Sequence, residues 1–370
     1  MKVAVFDIPA SDSGALSILK DFYEFVLHFG QDIEWYFIVG TADLSDKPVK
    51  SHVHVLRFPK AKRSWLYRIK FELADAHRIV KKIGADVVFS LQNLAVMRSK
   101  KPQIVYVHQT MPYAKKRFSY FDRDERFLAF YADIFRGLIG YSIRKARVAI
   151  VQTSWFRDAL IQSHYISPDK VVVVPPTIRF KLPPSQDRRE PGRFFYPATP
   201  YIYKNIDLIV EAVGRLRKEG LSPKVCLTIN GNENGYSMRL RKRIEAAGLG
   251  QNFEFMGRIT REEVLACYRS MTLLFPSRLE SFGLPLLEAR TIGGDIIAAD
   301  TRFAQEILAD YPGAVFHGEM DTAGLAAAMR NAMAKPVIER FYEGGKFESP
   351  AQWGRVVDLI RKYAQRDDTR

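Results

Sequence analysis

Two glutamates, Glu280 and Glu288, bracket a Gly-Leu-Pro turn in the stretch "PSRLESFGLPLLEARTIGG" at 276–294, with seven residues between them. The apolar run "TLLF" before this stretch reads as a buried strand, and "PLLEAR" opens a helix with Pro285 near its start. A carboxylate can accept hydrogen bonds from a sugar diol. Backbone N–H groups at a helix start can receive a phosphate. The backbone of Phe282, Gly283 and Leu284 is expected to point into a binding cleft. Glu288 is expected in the first helical turn, where the helix dipole favours an anion. A plain helix-start charge would look the same.

Other chemistry-bearing residues follow other apolar runs. Lys204 and Asn205 precede the helical stretch "IDLIVEAV". A lysine at a helix N-terminus opposes the dipole unless both hold a phosphate. His108 begins the polar turn "HQTMPY" and reads as a substrate contact, against the alternative of a satisfied core histidine. Gly14 sits in "PASDSGALS", either a phosphate-facing loop or an ordinary turn; it lacks the three-glycine dinucleotide fingerprint. Gly231 lies in the glycine loop "TINGNENG". Arg258 follows another apolar run as a second phosphate cation or a surface residue. Thr153 or Ser154 is expected to cap a helix.

The elements that must position these residues alternate strand and helix. Strands are expected at 2–8, 34–39, 53–58, 86–91, 104–108, 148–152 and 171–174, several of them continuously apolar as in a sheet buried on both faces. Helices fall between them, for example at 66–83 and 126–145. The segment 175–192, "PPTIRFKLPPSQDRREPG", carries five prolines and a charge run and reads as an extended linker. A second series follows, with strands at 194–197, 225–229, 253–255, 273–275, 295–299 and 314–316. Its helices are expected at 206–219, 237–247, 261–270 and 285–291. A last helix near 352–363 has no strand after it. The fold class is α/β, two doubly wound domains, with ligands expected beyond the carboxyl ends of the strands.

The 370 residues exceed one ordinary core and suit two domains. Net charge is +15 and uneven: residues 1–185 carry 29 Lys+Arg against 17 Asp+Glu, and the rest 27 against 24. An anionic partner is the expectation. Cys226 and Cys267 lie in apolar runs and read as buried reduced thiols. No apolar run reaches the roughly 20 residues of a membrane span. No signal peptide precedes the first strand, which fits a cytoplasmic location.

Together these residues resemble the retaining glycosyltransferases of sequence family 4, which have the GT-B fold of two Rossmann-like domains facing a cleft. The resemblance covers nearly the whole chain and is strongest over 196–300. Its most specific motif is the E-x7-E pair "ESFGLPLLE"; "KN" at Lys204 and Asn205, "NG" at Asn230 and Gly231, "F.G" at Phe255 and Gly257, and "HQ..P" from His108 are also similar. The resemblance implies an acceptor-binding domain at 1–180, a nucleotide-sugar-binding domain at 181–350, and a helix at 351–370 that crosses back. It implies that Lys204 holds the donor diphosphate, that Glu288 binds the ribose, and that Glu280 lies near the transferred sugar. Ser281 to Leu284 would contact sugar and phosphates, Gly14 the diphosphate, and His108 the transferred sugar. Asn205, Gly231 and Arg258 complete the donor set. The chain departs from the pattern in "PATPYIYKN", where many members have Gly-Arg, and in "SDSGA", which lacks a double glycine.

The implied reaction moves a sugar from a nucleotide diphosphate-sugar donor to a glycan or lipid-linked acceptor, with retention and without a metal or other cofactor. The "DRD" at 122–124 imitates a metal-binding D-x-D, but it falls in a charged aromatic loop and is not read as a metal site. Lys62, Arg63 and Trp65, with Lys115, Lys116 and Arg117, mix cations with interfacial aromatics, as an anionic membrane surface or lipid-diphosphate acceptor would require. Nucleic acid is not an expected partner. A peripheral, cytoplasmic-face enzyme of bacterial surface polysaccharide synthesis is the resulting expectation. The alternatives are a non-catalytic nucleotide-sugar or polyanion-binding protein of this fold, a sugar-nucleotide epimerase, or a phosphorylase.

Overall fold

A computed structural model describes residues 1–11, 13–44, 50–115, 117–176, 178–182, 184–342, 345–348 and 352–365. The chain divides into two compact units. The first comprises Met1–Lys115, Tyr131–Thr177 and Pro350–Arg370; the second comprises Lys116–Phe130 and Ile178–Ser349.

Among the described residues the first unit is built on seven parallel strands: β1 (Lys2–Asp7), β2 (Glu34–Val39), β3 (Val53–Arg57), β4 (Val87–Ser90), β5 (Gln103–Tyr106), β6 (Val148–Val151) and β7 (Val171–Val173). Their spatial order is β3-β2-β1-β4-β5-β6-β7. Every residue of β4, β5 and β6 is buried, which is why these strands read as unbroken apolar runs. The helices are α1 (Ser13–His28), α2 (Lys60–Arg63), α3 (Trp65–Lys70), α4 (Ala76–Ile83), α5 (Arg126–Lys145) and α6 (Ser154–His164); Thr153 holds the N-cap position of α6, but its side chain makes no capping hydrogen bond.

The helical segment expected at 66–83 runs unbroken through α3, a π-helical turn at Phe71–Asp75, and α4. Ser64 caps α3 by accepting the Tyr67 N–H at 3.4 Å. Gly84, at φ 67, ends α4 in a left-handed conformation that side chains disfavour.

Among the described residues the second unit has six parallel strands: β10 (Arg193–Tyr196), β11 (Lys224–Leu227), β12 (Phe253–Phe255), β13 (Thr272–Phe275), β14 (Ile296–Ala299) and β15 (Ala314–His317). Their order is β12-β11-β10-β13-β14-β15. Its helices are α7 (Ile206–Lys218), α8 (Gly235–Ala246), α9 (Arg261–Ser270), α10 (Leu284–Ile292), α11 (Arg302–Leu308) and α12 (Thr322–Met333).

The expected linker at 175–192 is a correction. It contains β8 (Arg179–Leu182) and β9 (Ser185–Arg189), which pair antiparallel with β17 (Gly345–Glu348) and β16 (Ile338–Tyr342). The charge run misled because Arg189 is buried, its guanidinium 2.8 Å from the Asp295 carboxylate ahead of β14. Partners supplied by a segment about 150 residues later leave no local periodicity to read.

The final helix, α13 (Gln352–Gln365), packs on the first unit. Trp353 lies against Phe22 at 4.8 Å between ring centroids and donates its Nε1–H to Asp21 at 2.6 Å. Val356, Val357 and Ile360 are buried beside it, each contributing at most about 1.5–3 kcal/mol. Both cysteines are buried and free.

Candidate active site

In the second unit, the residues after β10 and β13 meet. A 3-10 turn, Ile202–Lys204, delivers Lys204 to the start of α7. Its ammonium lies 2.5 Å from Glu280 Oε1, and each side chain keeps under a fifth of its surface exposed. The lysine is held from behind as well. Its carbonyl accepts Tyr196 Oη–H at 3.0 Å, and the carbonyl of Tyr203 accepts the Arg278 N–H at 3.0 Å. Asn205 sits at φ 58 and donates through Nδ2 to the carbonyls of Pro276 at 3.4 Å and Glu319 at 3.1 Å. Asn205 therefore ties three loops at the carboxyl edge of the sheet and does not cap α7 with its side chain.

Glu280 leads directly into Ser281, buried Phe282 and Gly283, and Leu284 is the first residue of α10. Gly283 has φ 102, and a Cβ there would lie 3.3 Å from Leu286, so the turn requires glycine. The first N–H groups of α10 have no acceptor within the helix.

Glu288 is a correction. It is the fifth residue of α10, beyond the first turn, which carries no acid. It is not a helix-start charge. It is buried, with Oε1 accepting from the Arg261 guanidinium at 2.7 Å and Oε2 from Tyr268 Oη at 3.4 Å. Burial raises its pKa, opposed by the Arg261 charge and the Tyr268 hydrogen bond. Arg261 escaped sequence reading; the only hint was its position after "GRIT", inside a Thr260–Glu263 capping box.

Gly231 takes φ 81, and the carboxylate of Glu233 accepts the N–H groups of Asn230 (2.5 Å) and Gly231 (3.1 Å). This glycine loop thus carries its own anion. Arg258 is exposed beside Gly257, which lies close to Asn230. In the D-x-D segment, Asp124 pairs with Arg239 and Asp122 Oδ1 accepts the Asp124 N–H at 2.8 Å.

In the first unit, His108 follows β5 and faces Asn93, which follows β4. Asn93 has φ 68, rare for a residue with a side chain. Its Oδ1 accepts the N–H groups of His108 at 2.7 Å and Gln109 at 2.9 Å. This fixes the amide orientation and leaves Nδ2 facing His108 Nε2 at 3.3 Å. Burial pushes the imidazole down to about 4, so it is neutral near pH 7. With Nδ2 donating, Nε2 carries the lone pair and the proton resides on Nδ1. Nδ1 is buried and has no hydrogen-bond partner among the described residues. Asn93 is a second residue that sequence reading missed.

Gly14 is the second residue of α1. Lys62 donates to the carbonyl of Pro9 at 3.0 Å. Arg63 and Trp65 are exposed, as are Lys115 and Arg117; Lys116 lies outside the described residues. Residues 179–347 match the family described as glycosyl transferases group 1, and residues 30–182 match glycosyltransferase family 4.

Among curated relatives, the O-antigen chain mannosyltransferase RfbU of Salmonella typhimurium is 22% identical over 56% of this chain and 57% of its own length. A D-inositol 3-phosphate glycosyltransferase of Geodermatophilus obscurus is 27% identical over 55% of this chain and 49% of its own. The chain thus spans about half the length of the curated relatives it matches. Among solved structures, sucrose-phosphate synthase from Thermosynechococcus elongatus superposes with a TM-score of 0.68 at 16% identity, covering 90% of each chain. HepE from Anabaena in complex with UDP-glucose gives 0.64 at 14% identity, again over 90% of each. Two adjoining family matches that run from residue 30 to residue 347, and an architecture of two parallel-sheet α/β units shared with GT-B glycosyltransferases, show that the chain belongs to the group 1, family 4-like glycosyltransferases.

Proposed function

We propose that this protein transfers a sugar from a nucleoside diphosphate-sugar donor to a glycan or lipid-linked acceptor, with retention of configuration. The Lys204–Glu280 pair beside the N-terminus of α10 carries the reading. Departure of a nucleoside diphosphate leaves growing negative charge on phosphate. A fixed ammonium and the N–H groups of a helix start stabilise that charge without reorganising. Glu280 holds the ammonium in place before the donor arrives, and a donor phosphate then shares it. Glu288 would accept the ribose hydroxyls in place of, or beside, Arg261. His108 Nδ1–H would donate to a sugar oxygen. In this scheme Lys204 and α10 neutralise the leaving group, and no metal is called for.

The name of RfbU, an O-antigen chain mannosyltransferase, supports a surface-glycan role, and the HepE complex with UDP-glucose supports a nucleotide-sugar donor. On the acceptor side, α3 has no buried residue; Trp65 and Leu66 are 69% and 78% exposed. Cations at Lys60, Lys62, Arg63 and Lys70 flank them. Such a helix suits an anionic bilayer on the cytoplasmic face, where a lipid-linked acceptor resides. No helix among the described residues is long and apolar enough to cross a membrane.

Thermal-shift titration with UDP, GDP, dTDP and ADP should identify the donor base by a rise in stability with ligand concentration. Hydrolysis and transfer assays with the matching nucleotide sugar, with and without chelator, then test the reaction. Loss of turnover in Lys204→Ala and Glu288→Ala is the expected result. Equal turnover in both variants and the parent would refute the site, and abolition by chelator would refute metal independence.

A further inference from the structure

One feature of the first unit has no part in the site above. At the amino ends of β5, β6 and β7 lies a cavity of about 460 Å³ lined by Lys100, Lys101, Arg144, Lys145, Arg147 and Lys170, with Asp169 as the one acid among the described lining residues. This volume falls within the about 300–1,000 Å³ range of small-molecule sites. Three of the cations are anchored by backbone carbonyls. Lys170 donates to the carbonyls of Arg144 at 2.8 Å and Ala146 at 2.9 Å, Lys145 to that of Met97, and Arg144 to that of His164 at 3.0 Å. Lys100 and Lys101 are exposed and make no ion pair among the described residues.

Part of this charge serves the fold. The C-terminal carbonyls of α5 present about half a negative charge, which Lys170 satisfies. Asp169, its pKa lowered by the Ser167 hydroxyl, supplies one full negative charge. Arg147 has contacts of its own; among the described residues the other five cations still exceed these, by about three charges. Arg147 already pushes the Lys170 pKa down, after burial. Like charges gathered in a hollow repel, and an anion that enters removes that repulsion.

We propose that this cavity binds a phosphate-rich anion, a soluble molecule with two or more phosphoryl groups. Anchored cations spaced around a hollow match several phosphate oxygens at once. A bilayer headgroup would offer the same chemistry, but placement favours the soluble source. The exposed helix α3 follows the carboxyl end of β3, whereas the cavity lies at the amino ends of β5 to β7. Five strand spacings of about 4.8 Å separate β3 from β6 across the sheet. The two features are thus at diagonally opposite corners of one sheet, and the cavity does not continue the α3 surface.

The test is calorimetric titration of the full chain with tripolyphosphate and with pyrophosphate at low ionic strength, together with sedimentation on phosphatidylglycerol vesicles. The variants are Lys100→Glu/Lys101→Glu and, with the same charge change elsewhere, Lys60→Glu/Arg63→Glu. Saturable binding of one tripolyphosphate per chain is expected, weakened at least about tenfold in the first variant and unchanged in the second. Vesicle binding is expected to survive in Lys100→Glu/Lys101→Glu. Equal weakening in both variants would reduce the effect to net charge and overturn the proposal, as would an absence of saturable binding. Loss of vesicle binding in Lys100→Glu/Lys101→Glu would make the ligand a lipid headgroup and overturn the soluble assignment.

Discussion

The Lys204 ammonium and Glu280 Oε1 stand 2.5 Å apart although 76 positions separate them in sequence. One follows β10 and the other follows β13, and these strands are hydrogen-bonded neighbours. Removing the ammonium strips the charge that would face a leaving diphosphate. Lys204→Ala is expected to lower turnover about 100-fold or more, with far-UV circular dichroism unchanged. Glu280→Gln should lose less, and the double variant less than the product of the single losses. Fully multiplicative losses would show that the pair does not act as a unit.

Asn93 and His108 give a prediction about a proton. Asn93→Asp keeps an oxygen for the two backbone N–H groups and turns the second polar atom from donor to acceptor. His108 Nε2 must then donate, so the tautomer flips to Nε2–H and the pKa rises from about 4. Long-range ¹H–¹⁵N correlation spectra report both changes. An unaltered Nδ1–H form in the variant would contradict the assignment.

Arg261 and Glu288 are expected to show coupled stability. Arg261→Ala leaves a buried carboxylate without its cation and should cost about 1–3 kcal/mol in urea unfolding. The same change in a Glu288→Gln background should cost much less. Equal costs in both backgrounds would show that the pair contributes nothing.

Asp7 supplies a pH dependence. Burial at the end of β1 raises it from 3.8 to about 7, against the Ala10 N–H and the charges of Arg68 and Lys62. The folded state therefore binds this proton more tightly than the unfolded chain. The group's contribution is fully present below 3.8 and is lost as pH rises through about 7. Asp7→Asn should be more stable than the parent near pH 8, by an amount on the order of 4 kcal/mol, and should lose that advantage near pH 4. Unfolding curves at the two pH values decide it; a constant difference would contradict the burial argument.

Trp65 and Leu66 test the membrane reading. Trp65→Ser/Leu66→Ser should weaken partitioning onto anionic vesicles about 10–100-fold while leaving thermal stability unchanged, because neither side chain packs on the core. Partitioning equal to the parent would remove α3 from the interface.

The sequence alone determined the strand and helix alternation, the two-domain α/β class, and the residues that end the strands. These follow from local causes: apolar runs for buried strands, glycine and proline for turns, and polar residues just past each strand. Glu280, Lys204 and His108 could be picked out on that basis. Only the tertiary structure decided what lies opposite them. It paired Lys204 with Glu280, buried Glu288 against Arg261 and Tyr268, and set the His108 proton through Asn93. It also turned a presumed linker into β8 and β9, whose partners come from the far end of the same unit. It gathered scattered lysines and arginines from three strand starts into one cavity. Each of these depends on contacts between residues distant in the chain. The local pattern of one segment carries no record of which other segment will complete its hydrogen bonds or offset its charge.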